Sequence, residues 1–272
     1  VVDPHGEYLT INFSNDNPND LKRMKIFNID PHGYCDQFHE FSPDTEVNKT
    51  AMPLRFDVRN LDREDMLTLT AIGISEAQTA ILDRGMFFSR QKNNGIVDID
   101  WIIDYIEIKE KSPARFRVIA ELGRLKQMLL FEKEPTKLTD IVSIGITVIN
   151  LRGVSEDIQT VVCSRIAKRL FDATKLGEIK PCMLIIEEAH IFAPELGEIV
   201  SKQPLKKIAF EGRKFGLGLM IVSQSTAQVS KRILAQCGTH IIHKLTNPRD
   251  IEAVLDALEG STQSMMEFVK SL

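Results

Sequence analysis

The stretch Cys182-Met183-Leu184-Ile185-Ile186-Glu187-Glu188-Ala189-His190 runs five apolar residues straight into two adjacent carboxylates. An uninterrupted apolar run that short suits a strand buried on both faces, as in the middle of a parallel sheet. Ligands of such sheets gather outside the carboxyl ends of the strands. Two acids at that edge point to a metal–phosphate site and a base for an attacking water. The plain alternative is a strand that stops at a solvated acidic turn.

Outward from this stretch, short apolar runs alternate with helical patterns. Val1-Val2, Ile26-Phe27-Asn28-Ile29, residues 144–151, Leu217 to Ser223 and His240 to Leu245 read as further strands. The 144–151 run is rich in β-branched residues. Between 151 and 182 a helix is expected. Ser155 is its N-cap, Glu156 and Asp157 suit the positive end of the dipole, and Gly177 ends it. Ile158, Val161, Val162, Ile166 and Leu170 form its apolar stripe. A second helix fills 199–214. Such alternation implies right-handed crossovers and a parallel sheet.

The stretch from about 60 to 140 differs, with helical patterns and few strand signals. Ser112-Pro113 starts one helix, whose expected stripe is Phe116, Ile119, Leu122, Leu125, Leu129 and Leu130. The chain therefore divides into an α/β core, residues 1–58 and 141–272, and an inserted helical subdomain, residues 59–140. Asp3-Pro4-His5-Gly6 recurs as Asp30-Pro31-His32-Gly33, but the flanks do not match, so the echo reads as a loop-level recurrence.

The 272 residues are 43% hydrophobic and 26% charged, enough to bury a sizeable core. No apolar run approaches the roughly 18 residues of a membrane span, and no signal-peptide pattern opens the chain. Cys35, Cys163, Cys182 and Cys237 are scattered without a C-x-x-C pair, which speaks against zinc and for reduced cysteines in a cytoplasmic protein. The net charge of -4 does not advertise nucleic-acid binding, although an acidic whole can hold a basic lining in a groove or ring. Val1-Val2-Asp3-Pro4 reads as the end of a strand already under way, so a fragment with an upstream part missing is expected.

Asp3, Glu187, Glu188 and Gln224 each follow an expected strand, so a parallel sheet gathers them on one edge. Singly they are turn starters or caps; together they form a water-activating cluster. Phosphoryl transfer needs a metal bridging phosphates, a group orienting water, and positive charge on the developing anion. Glu187 suits Mg²⁺ held largely through water. Glu188 suits the base and Gln224 a γ-phosphate sensor. Arg213, in Glu211-Gly212-Arg213-Lys214-Phe215-Gly216, has the planar fork that fits a phosphate; otherwise it is a solvated helix-end cation. No G-x-x-x-x-G-K-[ST] loop occurs in the chain. It would lie upstream of Val1.

With these residues assembled, the chain resembles the HerA branch of the HerA/FtsK ATPases. The matching segments are residues 1–8 (VVDPHGEY), 148–154 (VINLRGV), 184–195 (LIIEEAHIFAPE), 211–224 (EGRKFGLGLMIVSQ) and 239–250 (THIIHKLTNPRD), in the expected order. The resemblance implies a RecA-like core and a homohexameric ring with ATP at subunit interfaces. It also implies translocation on double-stranded DNA in break processing with a NurA-type nuclease. By the same likeness Glu188 is the catalytic glutamate and Glu187 the metal-side acid. Gln224 is the sensor, Arg213 a finger reaching into the neighbour's site, and Asp3 an acid close to the nucleotide. His5 and His190 belong to the motifs without an assigned chemistry. The family's Walker A loop and N-terminal barrel have no counterpart in the chain.

Loops entering a ring's channel would meet the phosphate backbone, with salt-dependent affinity. Lys202, Lys206, Lys207, Lys231 and Arg232 are the candidates; the bland reading is a solvated helix face. Competing readings are a conjugation or secretion motor, a catalytically dead ring or scaffold subunit, and a metal-dependent hydrolase using Asp3, His5, Glu187, Glu188 and His190. The last lacks H-E-x-x-H spacing.

Overall fold

A computed structural model describes residues 1–258 and 267, apart from 71–74, 129, 133 and 143–144. The expected Leu129 of the helical stripe lies outside the described residues. In chain order the elements are β1 (Val2–Asp3), α1 (Pro18–Ile26), β2 (Phe38–Ser42) and β3 (Met52–Pro53). Then come α2 (Arg63–Leu69), α3 (Glu76–Lys92), α4 (Ile99–Lys109), α5 (Arg115–Lys126) and α6 (Leu138–Ile141). β4 (Ile146–Asn150), α7 (Glu156–Leu176), β5 (Cys182–Ile186), α8 (Ala189–Phe192) and α9 (Lys202–Glu211) follow. β6 (Leu217–Ile221), α10 (Lys231–Leu234) and α11 (Pro248–Ala257) complete the set.

The six strands form one sheet in the order β3-β2-β4-β1-β5-β6, and every pair is parallel. Val2 pairs with Ile149 on one side and Ile186 on the other, and all three are buried. Each such side chain contributes roughly 1.5–3 kcal/mol relative to exposure. The expected apolar stripe of α7 covers the sheet, with Val162 and Ile166 buried in the main core. Gly177 ends α7 in the left-handed conformation at φ 72°, while Ser155 stands at the N-cap without a side-chain cap bond.

Helices α2 to α5 gather around a second apolar cluster, centred on Ile102, Ile106, Leu122 and Leu125, which meets the core through Val161 of α7. Two devices join it to the core. The capping box of α2, Asp62 and Asp65, also faces Lys168 and Arg165 of α7. After α5 the chain returns to pair at Phe56, whose N–H donates to the Leu130 carbonyl at 2.9 Å. Leu130 therefore buries in the main core and not on α5, which ends at Lys126. Phe116 departs further from the expected stripe: it is 65% exposed.

Two expected strands are absent. Residues 26–29 are the end of α1 and the turn after it, where Asn28 adopts φ 53°. Asn17 caps α1 and Pro18 sits in its first turn, so helix signals override the short apolar run. His240 to Leu245 forms no strand either. β6 is the last strand in the order, and no ladder joins 240–245 to it. Instead Ile242 and Leu245 pack on Ile251 and Leu255 of α11. A strand needs a neighbour for its backbone groups, and apolar content alone does not supply one.

Candidate active site

The parallel sheet sets Asp3, Glu187 with Glu188, and Gln224 past the carboxyl ends of β1, β5 and β6, three strands that stand side by side. The Glu187 N–H donates to the Val2 carbonyl at 3.0 Å, and the Ala189 N–H donates to the Val222 carbonyl at 2.9 Å. Between these anchors Glu188 turns sharply, with φ 48° and ψ 52°. A non-glycine residue held there stores strain of about 1–3 kcal/mol and persists only where neighbours fix it.

Asp3 is fully buried, and its carboxylate is used locally. Oδ1 accepts from the backbone N–H of His5 at 3.1 Å and of Gly6 at 2.8 Å, and Oδ2 accepts from the Tyr8 N–H at 3.0 Å. The loop 3–8 therefore wraps around one carboxylate. Gly6, at φ +77°, completes it where a Cβ would come 3.2 Å from the Asn150 side chain. The wrap delivers Tyr8 across the rim, where its hydroxyl donates to Glu187 Oε2 at 2.6 Å. Burial, with Glu187 beside it, pushes the Tyr8 hydroxyl well above the usual tyrosine range, so it stays a donor. Tyr8 stands in the D-P-H-G-E-Y motif, but nothing in its spacing pairs it with an acid 179 residues away.

Glu187 and Glu188 are both buried. Glu188 Oε2 lies 3.2 Å from His190 Nδ1, yet no aligned hydrogen bond reaches it. The same ring nitrogen stands 3.2 Å from Ser223 Oγ. That hydroxyl also accepts from the Ser225 N–H at 3.2 Å, which bends the chain just where Gln224 projects, exposed. Ser225 Oγ in turn donates to Asp250 of α11 at 3.4 Å. A polar path thus runs from Glu188 through His190 to the segment carrying Gln224. Beside the rim opens a cleft of about 690 Å³ lined by residues that include His5, His190, Thr68, Glu156, Asp157 and Thr160.

Arg213 is elsewhere. It lies in the 3-10 turn Gly212–Phe215 ahead of β6, at the amino-terminal edge of the sheet, and is exposed. A five-residue strand separates that edge from Glu188, about 16 Å at ~3.3 Å per residue. The five basic candidates also divide. Lys202 is buried, and its ammonium donates to the carbonyls of Gly197 at 2.8 Å and Glu195 at 3.4 Å, so it ties down the loop ahead of α9. Lys207 lies 4.4 Å over the Phe171 ring. Lys231 pairs with Asp256 at 3.4 Å. Lys206 is half-buried and Arg232 exposed.

Among the described residues, no three His, Cys, Asp or Glu side chains cluster as a metal cage. No described helix is long and apolar enough to cross a membrane.

Residues 1–170 match the family model described as the central domain of helicase HerA. A probable DNA double-strand break repair helicase HerA of Methanocaldococcus jannaschii is 30% identical over 225 residues, 81% of this chain and 41% of that protein. The DNA double-strand break repair helicase HerA of Pyrococcus furiosus is 44% identical over 92 residues, 34% of this chain and 17% of that protein. The chain thus spans less than half the length of either relative. Among solved structures, VirB4 of Thermoanaerobacter pseudethanolicus shares the fold at a TM-score of 0.55 and 12% identity, covering 86% of this chain and 75% of that one.

Proposed function

Because this chain belongs to the HerA helicase family, we propose that it is part of an ATP-driven motor that moves on double-stranded DNA. The observation that carries this reading is the rim itself. Two buried acids end β5, one held by Tyr8 and the other facing His190, with Gln224 past the neighbouring strand.

In this reading Glu188 takes the proton of the attacking water, and its carboxylate is ready because no aligned donor neutralises it. Glu187 keeps one oxygen on Tyr8 and would be the acid that holds a Mg²⁺ ion, largely through water. When bound, that ion supplies positive charge to the phosphates. Gln224, exposed past β6, orients the water or reads the γ-phosphate. Arg213 lies at the edge opposite its own rim, so as a finger it serves the site of another copy. Heterologous contacts of that kind close into a ring, and we take six copies from the family resemblance. The names of the HerA relatives support a role at double-strand breaks; a NurA-type nuclease partner belongs to the same reading.

Glu188→Gln in the full-length protein tests the assignment. Turnover falls by about 10²–10⁴-fold while nucleotide stays bound, because the base is lost and ground-state contacts remain. Wild-type turnover in that variant overturns the reading. Mixing Arg213→Ala with Glu188→Gln subunits restores part of the activity if finger and base come from different copies.

A further inference from the structure

The turn between α4 and α5 carries an unusual set of side chains. Ile108 and Phe116 flank it and are 75% and 65% exposed. Lys109, Lys111, Arg115 and Arg117 stand in the same run with one acid, Glu110. That acid is already neutralised: Arg84 of α3 donates to both its oxygens, at 2.6 and 2.8 Å. Arg117 pairs with Glu121 at 3.3 Å, while Lys109 and Lys111 have no ion-pair partner among the described residues. Glu107, directly before Ile108 on α4, is the nearest exposed acid on that helix.

The tip is rigidly mounted. Ile102 and Ile106 bury against Leu122 and Leu125, and Gly85 lets α3 close on Ile102, where a Cβ would come within 2.6 Å. Arg115 is fixed by its own bond to the Glu110 carbonyl at 2.5 Å. It holds its guanidinium 4.8 Å from the Phe116 ring centroid. One face of the ring is thus covered by a cation, while Phe116 as a whole remains 65% exposed.

We propose that this tip is a contact site for a single-stranded nucleic acid. The exposed ring of Phe116 stacks on an unpaired base, and Lys109, Lys111, Arg115 and Arg117 meet the phosphates on either side. Positive charge beside an exposed aromatic ring is the combination that binds unpaired strands without reading sequence. Duplex DNA offers phosphates but no free base face, so the ring discriminates between the two. The site lies on the helical layer, whose α4 and α5 residues pack in their own apolar cluster, and does not depend on the catalytic reading.

The test is fluorescence anisotropy on the full-length protein without nucleotide. The probes are an oligothymidylate and a blunt duplex of equal phosphate number, with phosphatidylserine vesicles as a third ligand. Phe116→Ala weakens oligothymidylate binding about tenfold and leaves the duplex unchanged, while Phe116→Trp keeps the affinity. Lys109→Ala with Lys111→Ala flattens the salt dependence by about 1.4 in log–log slope, two phosphates at ~0.7 each. ATP turnover stays at the wild-type level in each, which certifies the fold. Unchanged oligothymidylate binding in both variants overturns the proposal. So does a loss confined to the vesicles, which would make the tip a lipid contact.

Discussion

His190 Nδ1 stands 3.2 Å from Glu188 Oε2 and 3.2 Å from Ser223 Oγ, joining the acid at the end of β5 to the segment after β6. His190 is the side chain that stands against this Glu188 oxygen, which no aligned hydrogen bond reaches, at a residue whose backbone is held in the left-handed region. His190→Ala in the full-length protein therefore lowers kcat by roughly tenfold and leaves nucleotide affinity unchanged. His190→Gln, which keeps a polar atom within reach, recovers part of the loss. A fall in affinity with kcat intact would place His190 in nucleotide binding instead.

Tyr8→Phe removes the donor to Glu187 Oε2. Two consequences are expected. The Mg²⁺ concentration needed for half-maximal turnover changes, because Glu187 is no longer oriented. The variant is also less stable than wild type at neutral pH. The folded protein raises the Tyr8 pKa, so the hydroxyl's contribution is fully present below the ordinary tyrosine value of about 10 and is lost progressively as pH rises from there toward the raised folded value. Urea melts of both proteins should therefore converge as pH rises through that range. A gap that widens would show that Glu187 does not face a protonated phenol.

Asp65 fastens the helical layer to α7. Its side chain is fully buried, 3.2 Å from Arg165 Nη1 and 3.7 Å from Lys168 Nζ. Burial pushes its pKa up against the pull of those two cations. Asp65→Ala removes the carboxylate paired with Arg165, whose side chain is only 12% exposed, and costs about 3 kcal/mol. Amide hydrogen exchange should quicken first in α2, ahead of β1 and β5. Uniform loosening of the sheet would contradict this.

Gly145 tests the approach of β4 to β2. Its φ is +124°, and a Cβ there would lie 2.1 Å from the Gln37 carbonyl oxygen. Gly145→Ala must shift the backbone just before the strand pair Phe38–Ile146. A loss of about 3 kcal/mol or more in thermal or urea unfolding is expected. Wild-type stability would mean that the two strands approach differently.

Much of the architecture is legible along the chain. The β5 run ends on two acids, the stripe of α7 has helical spacing, and Gly177 stops it, so local pattern and global fold agree. That Asp3, Glu188 and Gln224 share a rim follows once the strands are parallel, since every carboxyl end then lies on one edge. The segments that misread are those where the deciding partner is remote. Residues 240–245 carry strand-like residues but find α11 in place of a ladder. Phe116 has the spacing of a core residue and yet stays outside.

Residue order alone determined the α/β alternation and the acids past the strands, because these depend on periodicity and on side-chain type. Only the tertiary structure decided that Tyr8 holds Glu187, that His190 bridges to Ser223, that Lys202 is tied to loop carbonyls and that Arg213 lies at the opposite edge. Each of those is a contact, or a direction in space, between segments far apart in the chain. Hydrogen bonds and burial depend on distance and angle, and those are set by how the layers pack.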